Sequence, residues 1–208
     1  MIKPSVIVGV AAIVLAVVGF VGPWWTTSAT ASGSATFTSV TDFRLFGMTT
    51  TASEPGRSYT NSTDYSGDPN TRSVFQVASA LTGVAVGLGV LYVVLGAMAD
   101  KRPTFRRVAF VFGVLAFAVA LVAAVYVMAT LPGAVNQDRS SSGIQFSGFW
   151  GLSKSTGFGM TLTINWGAGW GWYVVLASAV LFLVGAILTV RAPNTASMAP
   201  PRSPETPL

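Results

Sequence analysis

Residues 74–132 read VFQVASALTGVAVGLGVLYVVLGAMADKRPTFRRVAFVFGVLAFAVALVAAVYVMATLP, and this stretch decides the fold. Two apolar runs, 74–98 and 108–131, flank a short basic loop, 99–107. Neither run holds a Lys, Arg, Asp or Glu. A run of about 20 residues at 1.5 Å per residue crosses a hydrocarbon core about 30 Å thick. A buried helix of a soluble protein seldom stays free of charge for so long.

The pattern recurs on both sides. Residues 4–22 and 171–190 form two further uncharged apolar runs, and the 208-residue chain is 51% hydrophobic and only 9% charged. Soluble domains carry about 25% charged residues. The reading is an all-α membrane protein: a four-helix transmembrane bundle with a small extracytoplasmic antiparallel β-sheet. The sheet comes from two outer loops, 23–73 and 132–170, and residues 191–208 form a disordered cytoplasmic tail. Pro23 and Pro132 are expected to end the first and third spans, as residues without an amide donor do.

Basic residues orient the chain. Lys3, Lys101, Arg102, Arg106, Arg107, Arg191 and Arg202 fall on one side against Asp100 and Glu205. Anionic lipid and the membrane potential keep such residues cytoplasmic. The outer loops balance, with Arg44, Arg57, Arg72, Arg139 and Lys154 against Asp42, Glu54, Asp64, Asp68 and Asp138. The formal charge of +5 thus lies on the cytoplasmic side, as a topology signal rather than a nucleic-acid footprint. The expected location is the plasma membrane, multi-pass, with both termini cytoplasmic. Trp24, Trp25, Trp166, Trp170 and Trp172 cluster at the outer ends of the first and last runs, which reads as an interfacial belt with indole N–H groups toward water. A competing reading of the N-terminus is a signal peptide cleaved at Ala29-Thr30-Ala31, within residues 1–31, although its apolar run is longer than usual.

The outer segments carry strand signals. Ala29, Ala31, Gly33, Ala35 and Phe37 alternate with Ser and Thr, which argues one strand with a buried face. Phe43–Phe46 is a candidate second strand, and 53–72 reads as loop because of its Gly, Pro, Asp and Asn. In the second segment Ile144–Ser147 and 158–166 alternate, with Ser153–Gly157 between them as a hairpin loop. This hairpin is expected to pack one face on the strand at Ala31–Phe37, leaving Phe149, Trp150 and Leu152 at its turn. Leu45–Thr49 echoes Phe149–Ser153, so the halves could be repeats of one helix–hairpin–helix unit.

Four spans, internal termini, strands in the first outer loop and Trp24 or Trp25 near its start together resemble the claudin and peripheral-myelin-protein-like four-transmembrane family. The resemblance implies a β-sheet standing on a four-helix bundle. Arg44-Leu45-Phe46 stands loosely where that family has Gly-Leu-Trp, and the family's cysteine pair is missing, since the chain has no Cys. The likeness is therefore one of architecture, and barrier function does not carry over.

No catalytic centre is legible. With neither Cys nor His, the chain lacks thiolate nucleophiles, imidazole ligands and the common general base of neutral pH. Asp64, Asp68, Asn61 and Asn70 lack the spacing of a calcium loop and read as solvated loop residues. No cofactor or metal is expected, and no enzyme activity. Gln76, Ser79, Thr82, Tyr92, Tyr126 and Thr130 are the polar residues of the spans, more often packing groups than a substrate path. Ser79, Gly83 and Gly87 recur at helical spacing, as do Ala116, Ala120 and Ala124, and Ala12 with Ala16. Such stripes let helix backbones approach, within the bundle or toward a second copy. Asn61-Ser62-Thr63 is a possible glycosylation sequon, and Thr206-Pro207-Leu208 and Pro201–Pro204 are weak peptide motifs. The leading functional expectation is a non-enzymatic membrane scaffold or accessory subunit. Its sheet would contact a protein partner or further copies through Phe149, Trp150 and Leu152, and its helices would contact membrane lipid. The alternative is a small transport or channel subunit with a Ser/Thr/Tyr-lined path.

Overall fold

The apolar runs are helical in the computed structural model, which describes residues 3–99, 103–140, 144–157 and 159–191. They form α1 (Pro4–Val21), α2 (Pro69–Met98), α3 (Pro103–Asp138) and α4 (Trp170–Arg191). All four are long and apolar enough to cross a membrane. α1 and α3 each lie against α2 and α4, so the four close into a ring. Small residues sit at the contacts: Ala12 and Ala16 of α1, Ala78 and Ala85 of α2, Ala116, Ala120 and Ala124 of α3, and Ala179 and Ala186 of α4 are buried.

Two helices outrun their apolar segments. α2 starts at Pro69 rather than Val74, with the proline in its first turn, where a missing amide costs nothing. α3 starts at Pro103, inside the expected basic loop, and continues through Pro132 to Asp138. Its 36 residues extend about 54 Å. The expectation that Pro132 ends the third span is thus corrected. Proline removes one intrahelical bond, but the turn beyond it is held by tertiary partners. The Asp138 carboxylate accepts from the Asn70 amide and side chain and from the Thr71 amide, at 3.1, 2.7 and 2.7 Å. The end of α3 therefore caps the start of α2.

The larger correction concerns fold class. Strands make up 27% of the structure against 59% helix, so this is not an all-α protein with a small sheet. The strands are β1 (Trp25–Ser32), β2 (Thr36–Arg44), β3 (Gly47–Glu54), β4 (Arg57–Thr63), β5 (Gly151–Gly157) and β6 (Met160–Ala168). They form one antiparallel sheet ordered β4-β3-β2-β1-β6-β5. The segment between α1 and α2 is a four-strand meander and that between α3 and α4 a hairpin, so the halves do not share one plan. The alternating stretch around Ala29–Phe37 is a β1–β2 hairpin, with Ala31 opposite Phe37. The former loop 53–72 contains all of β4 and the start of α2. Ser153–Gly157 lies within strand β5, and beyond it Gly159, just ahead of β6, takes a positive φ of 74°. The hairpin does not lie face-on against the first loop. It joins edge to edge, with β6 hydrogen-bonded along β1 from Trp25↔Ala168 to Ser32↔Thr161. Ala29–Ala31, the possible cleavage site, lies inside β1 between two paired strands.

Cross-strand partners share a face, so register assigns the faces. One carries Trp25, Phe43, Met48, Ile164 and Trp166; the other carries Thr26, Ser28, Asp42, Thr49, Asn165 and Leu152. The apolar face is covered beside the bundle by the end of α3 and by residues 144–149. Phe146 sets its ring edge-on to Trp25 and Trp166, at 5.0 and 5.1 Å. The Arg139 guanidinium lies over the Phe43 ring, 5.5 Å from its centroid. Ile144–Ser147 is not a strand. Asn136 stands in for a strand neighbour, accepting from the Phe146 amide at 2.8 Å and donating to its carbonyl at 2.9 Å.

Four of the five tryptophans read as a belt belong to this joint instead, while Trp170 stays half-exposed. Trp24, Trp25, Trp166 and Trp172 are buried. Their indoles donate to the carbonyls of Gly19, Phe149, Gly148 and Ala124, at 2.8 to 3.0 Å. Tyr65 fastens the β2–β3 turn, donating to the Arg44 and Gly47 carbonyls at 2.6 and 3.0 Å. Burial pushes its phenol far above the ordinary tyrosine range.

Candidate partner-docking site

The three residues expected at a hairpin turn sit instead at the foot of β5, where the sheet meets α4. They do not share one environment. Phe149 is 4% exposed, Trp150 49% and Leu152 57%. Phe149 belongs to the core, 5.6 Å from the Trp172 ring, and its carbonyl receives the Trp25 indole at 2.8 Å. Trp150 stands edge-on to Phe149 and Trp172, at 4.8 and 5.6 Å between centroids. It rests over Gly167, where a Cβ would come within 2.8 Å of the indole Cδ1. Glycine at 167 therefore makes the seat for Trp150. One indole edge is held, and the rest is open.

Leu152 lies on the hydroxyl-bearing face, opposite Asn165, which in turn pairs with Ser28. Trp150 and Tyr173 flank a shallow cleft of about 320 Å³ whose floor includes Thr26, Ser28, Asn165 and Gly167. An exposed indole, an exposed leucine and an exposed tyrosine thus border a row of neutral donors and acceptors on a paired scaffold. Such a surface can bury apolar area and satisfy hydrogen bonds together, as binding hot spots do. Among the described residues no group of His, Cys, Asp and Glu could hold a metal ion. Asp64 accepts from the Ser66 amide and hydroxyl at 3.2 and 2.7 Å, which holds its carboxyl below the usual range. Asp68 faces Arg139 at 3.8 Å, and Asn70 donates to Asp138.

The stripe Ser79, Gly83 and Gly87 is placed differently from expectation. A Cβ at Gly83 or Gly87 would meet nothing within 4 Å. Among the described residues Gly83 and Gly87 thus pack on no other helix. The contact side of α2 is the neighbouring row of Ala78, Thr82, Ala85, Gly89 and Tyr92. Gly89 sits under Phe182, and Gly9 of α1 sits under Tyr92. Tyr92, read from the sequence as a packing group, is one: it is buried and its hydroxyl donates to the Ser5 carbonyl of α1 at 2.7 Å. Asn61 is exposed in the middle of β4, an edge strand. The motifs at 201–208, the remainder of the expected tail from 192, and Asp100–Arg102 lie outside the described residues.

Compared with known protein families, the chain matches none. A search among characterised proteins also finds no significant match.

Proposed function

We propose that the chain is a non-enzymatic scaffold or accessory subunit of the plasma membrane. Both termini are cytoplasmic, and a protein partner is held by the Trp150–Leu152 edge of the outer sheet. One observation carries this reading: Trp150, half-exposed just ahead of β5, is held edge-on by the buried Phe149, and Leu152, exposed on β5 itself, lies opposite Asn165 beside the same cleft. An exposed apolar patch on so rigid a base is characteristic of a contact site. The orientation rests on the basic residues at the α3 start and the α4 end, Arg106, Arg107 and Arg191.

The transport alternative finds less support, because the polar residues of the spans are spent locally. Thr82 donates to Ala78, Thr130 to Tyr126, Ser178 to Val175 and Thr189 to Gly185, all backbone carbonyls at 2.7 to 3.0 Å. With no family match, the likeness to the claudin group is proposed as one of layout alone.

The test is affinity purification from native membranes in mild detergent. Trp150→Ala with Leu152→Ser should leave expression intact and cost no more than about 1–2 kcal/mol of thermal stability, since Leu152 is mostly exposed and Trp150 half-exposed. Co-purifying protein should be lost. Partners retained by the double variant would refute the docking edge. Phe149→Ser is not a docking test, because it opens the core.

A further inference from the structure

At the opposite end of the molecule from the sheet, α3 and α4 line an apolar groove of about 440 Å³. Phe110 and Val111 of α3 face Ile187 and Val190 of α4, and Arg107 and Arg191 stand at its rim. Arg106 does something else. Its Nε donates to the Thr189 carbonyl at 2.6 Å, and a terminal nitrogen donates to the Val190 carbonyl. It thereby satisfies orphan carbonyls at the end of α4 and ties the two helices together. One residue further on, and about 100° round the helix, Arg107 is left for the groove. Among the described residues neither Arg107 nor Arg191 makes a hydrogen bond or ion pair. Two guanidiniums with no anion beside them among the described residues thus sit at the mouth of a cleft whose walls are otherwise hydrocarbon.

We infer that this groove is a binding site for one anionic phospholipid, with the phosphate between Arg107 and Arg191 and an acyl chain along Phe110, Val111, Ile187 and Val190. The argument is charge and shape together. Guanidinium suits phosphate through paired N–H donors, and basic clefts between helices at the cytoplasmic surface select anionic headgroups. A free phosphate would leave the apolar walls unused, and a neutral lipid would leave two cations unanswered. The inference rests on the membrane reading above.

Two measurements separate the ideas. Retention of the chain in carbonate-washed membranes tests the membrane reading alone. For the groove, the purified full chain in dodecylmaltoside is titrated with dioleoyl phosphatidylglycerol or dioleoyl phosphatidylcholine, and bound lipid is counted by native mass spectrometry. One tightly held phosphatidylglycerol is expected, with phosphatidylcholine much weaker and glycerophosphoglycerol, which lacks acyl chains, not retained. At about 1 kcal/mol for each cation near an anionic surface, Arg107→Gln with Arg191→Gln should weaken binding about thirtyfold. Arg57→Gln with Lys154→Gln removes the same charge from the sheet and should change nothing. Ile187→Trp keeps both cations but fills the groove, and should also abolish retention. Equal binding of the two lipids would overturn the site, as would equal loss in the sheet variant. Undiminished binding by Arg107→Gln/Arg191→Gln or by Ile187→Trp would overturn it too.

Discussion

Gly83 and Gly89 lie on different sides of α2, and the same substitution should act on them with opposite sign. A methyl at Gly89 would come within 2.5 Å of the Phe182 ring, so Gly89→Ala should destabilise by about 1–3 kcal/mol through overpacking. At Gly83 a methyl meets open space, and Gly83→Ala should gain a few tenths to about 1 kcal/mol from helix propensity. Thermal unfolding of both variants in detergent checks the pair. The sequence shows why the wrong stripe is chosen by spacing alone. In water only one side of a helix is apolar, so periodicity marks the buried side. On α2 the outward side is apolar as well, with Val77, Val84, Leu91 and Val94 exposed. Several rows of small residues then look alike. The indoles mislead similarly: their crowding near the ends of the apolar runs is legible, but three of the four carbonyls that receive their N–H groups, those of Phe149, Gly148 and Ala124, are contributed by other segments.

At the scale of elements, a hairpin can pass for a single strand. Residues paired across β1 and β2 sum to an even number, as in Ala31↔Phe37, so odd positions share one face on both strands. The alternation therefore runs through the turn at 33–35 without a break. β4 and β5 were hidden for another reason. Both are edge strands exposed almost throughout, so neither face demands apolar residues and no period of two is written. Ile144–Ser147 shows the converse, an alternating segment that is not a strand and whose Phe146 backbone is held by the Asn136 side chain. Asn136→Ala should leave the Phe146 amide and carbonyl without their partner, and cost about 1–3 kcal/mol. Amide exchange at Phe146 should accelerate well beyond that of β1 and β6. Uniform acceleration across the sheet would show that the segment does not depend on Asn136.

For the whole molecule, the four apolar runs and their order were plain from the sequence, because about 20 uncharged residues have few other uses. The orientation can be read out directly, since the chain has no cysteine of its own. A cysteine at Ser66 should react with a membrane-impermeant thiol reagent in intact cells, and one at Thr104 should not. The reverse pattern would invert the topology. The joint between bundle and sheet has an optical consequence. Four of the six tryptophans are buried there, and only Trp150 and Trp170 are half-exposed. Intrinsic emission is thus largely a report from one place. A denaturant that parts the sheet from the helices would shift that emission to longer wavelength while the helical circular dichroism holds. The two probes would then diverge, and the gap between them would measure how firmly the sheet is seated.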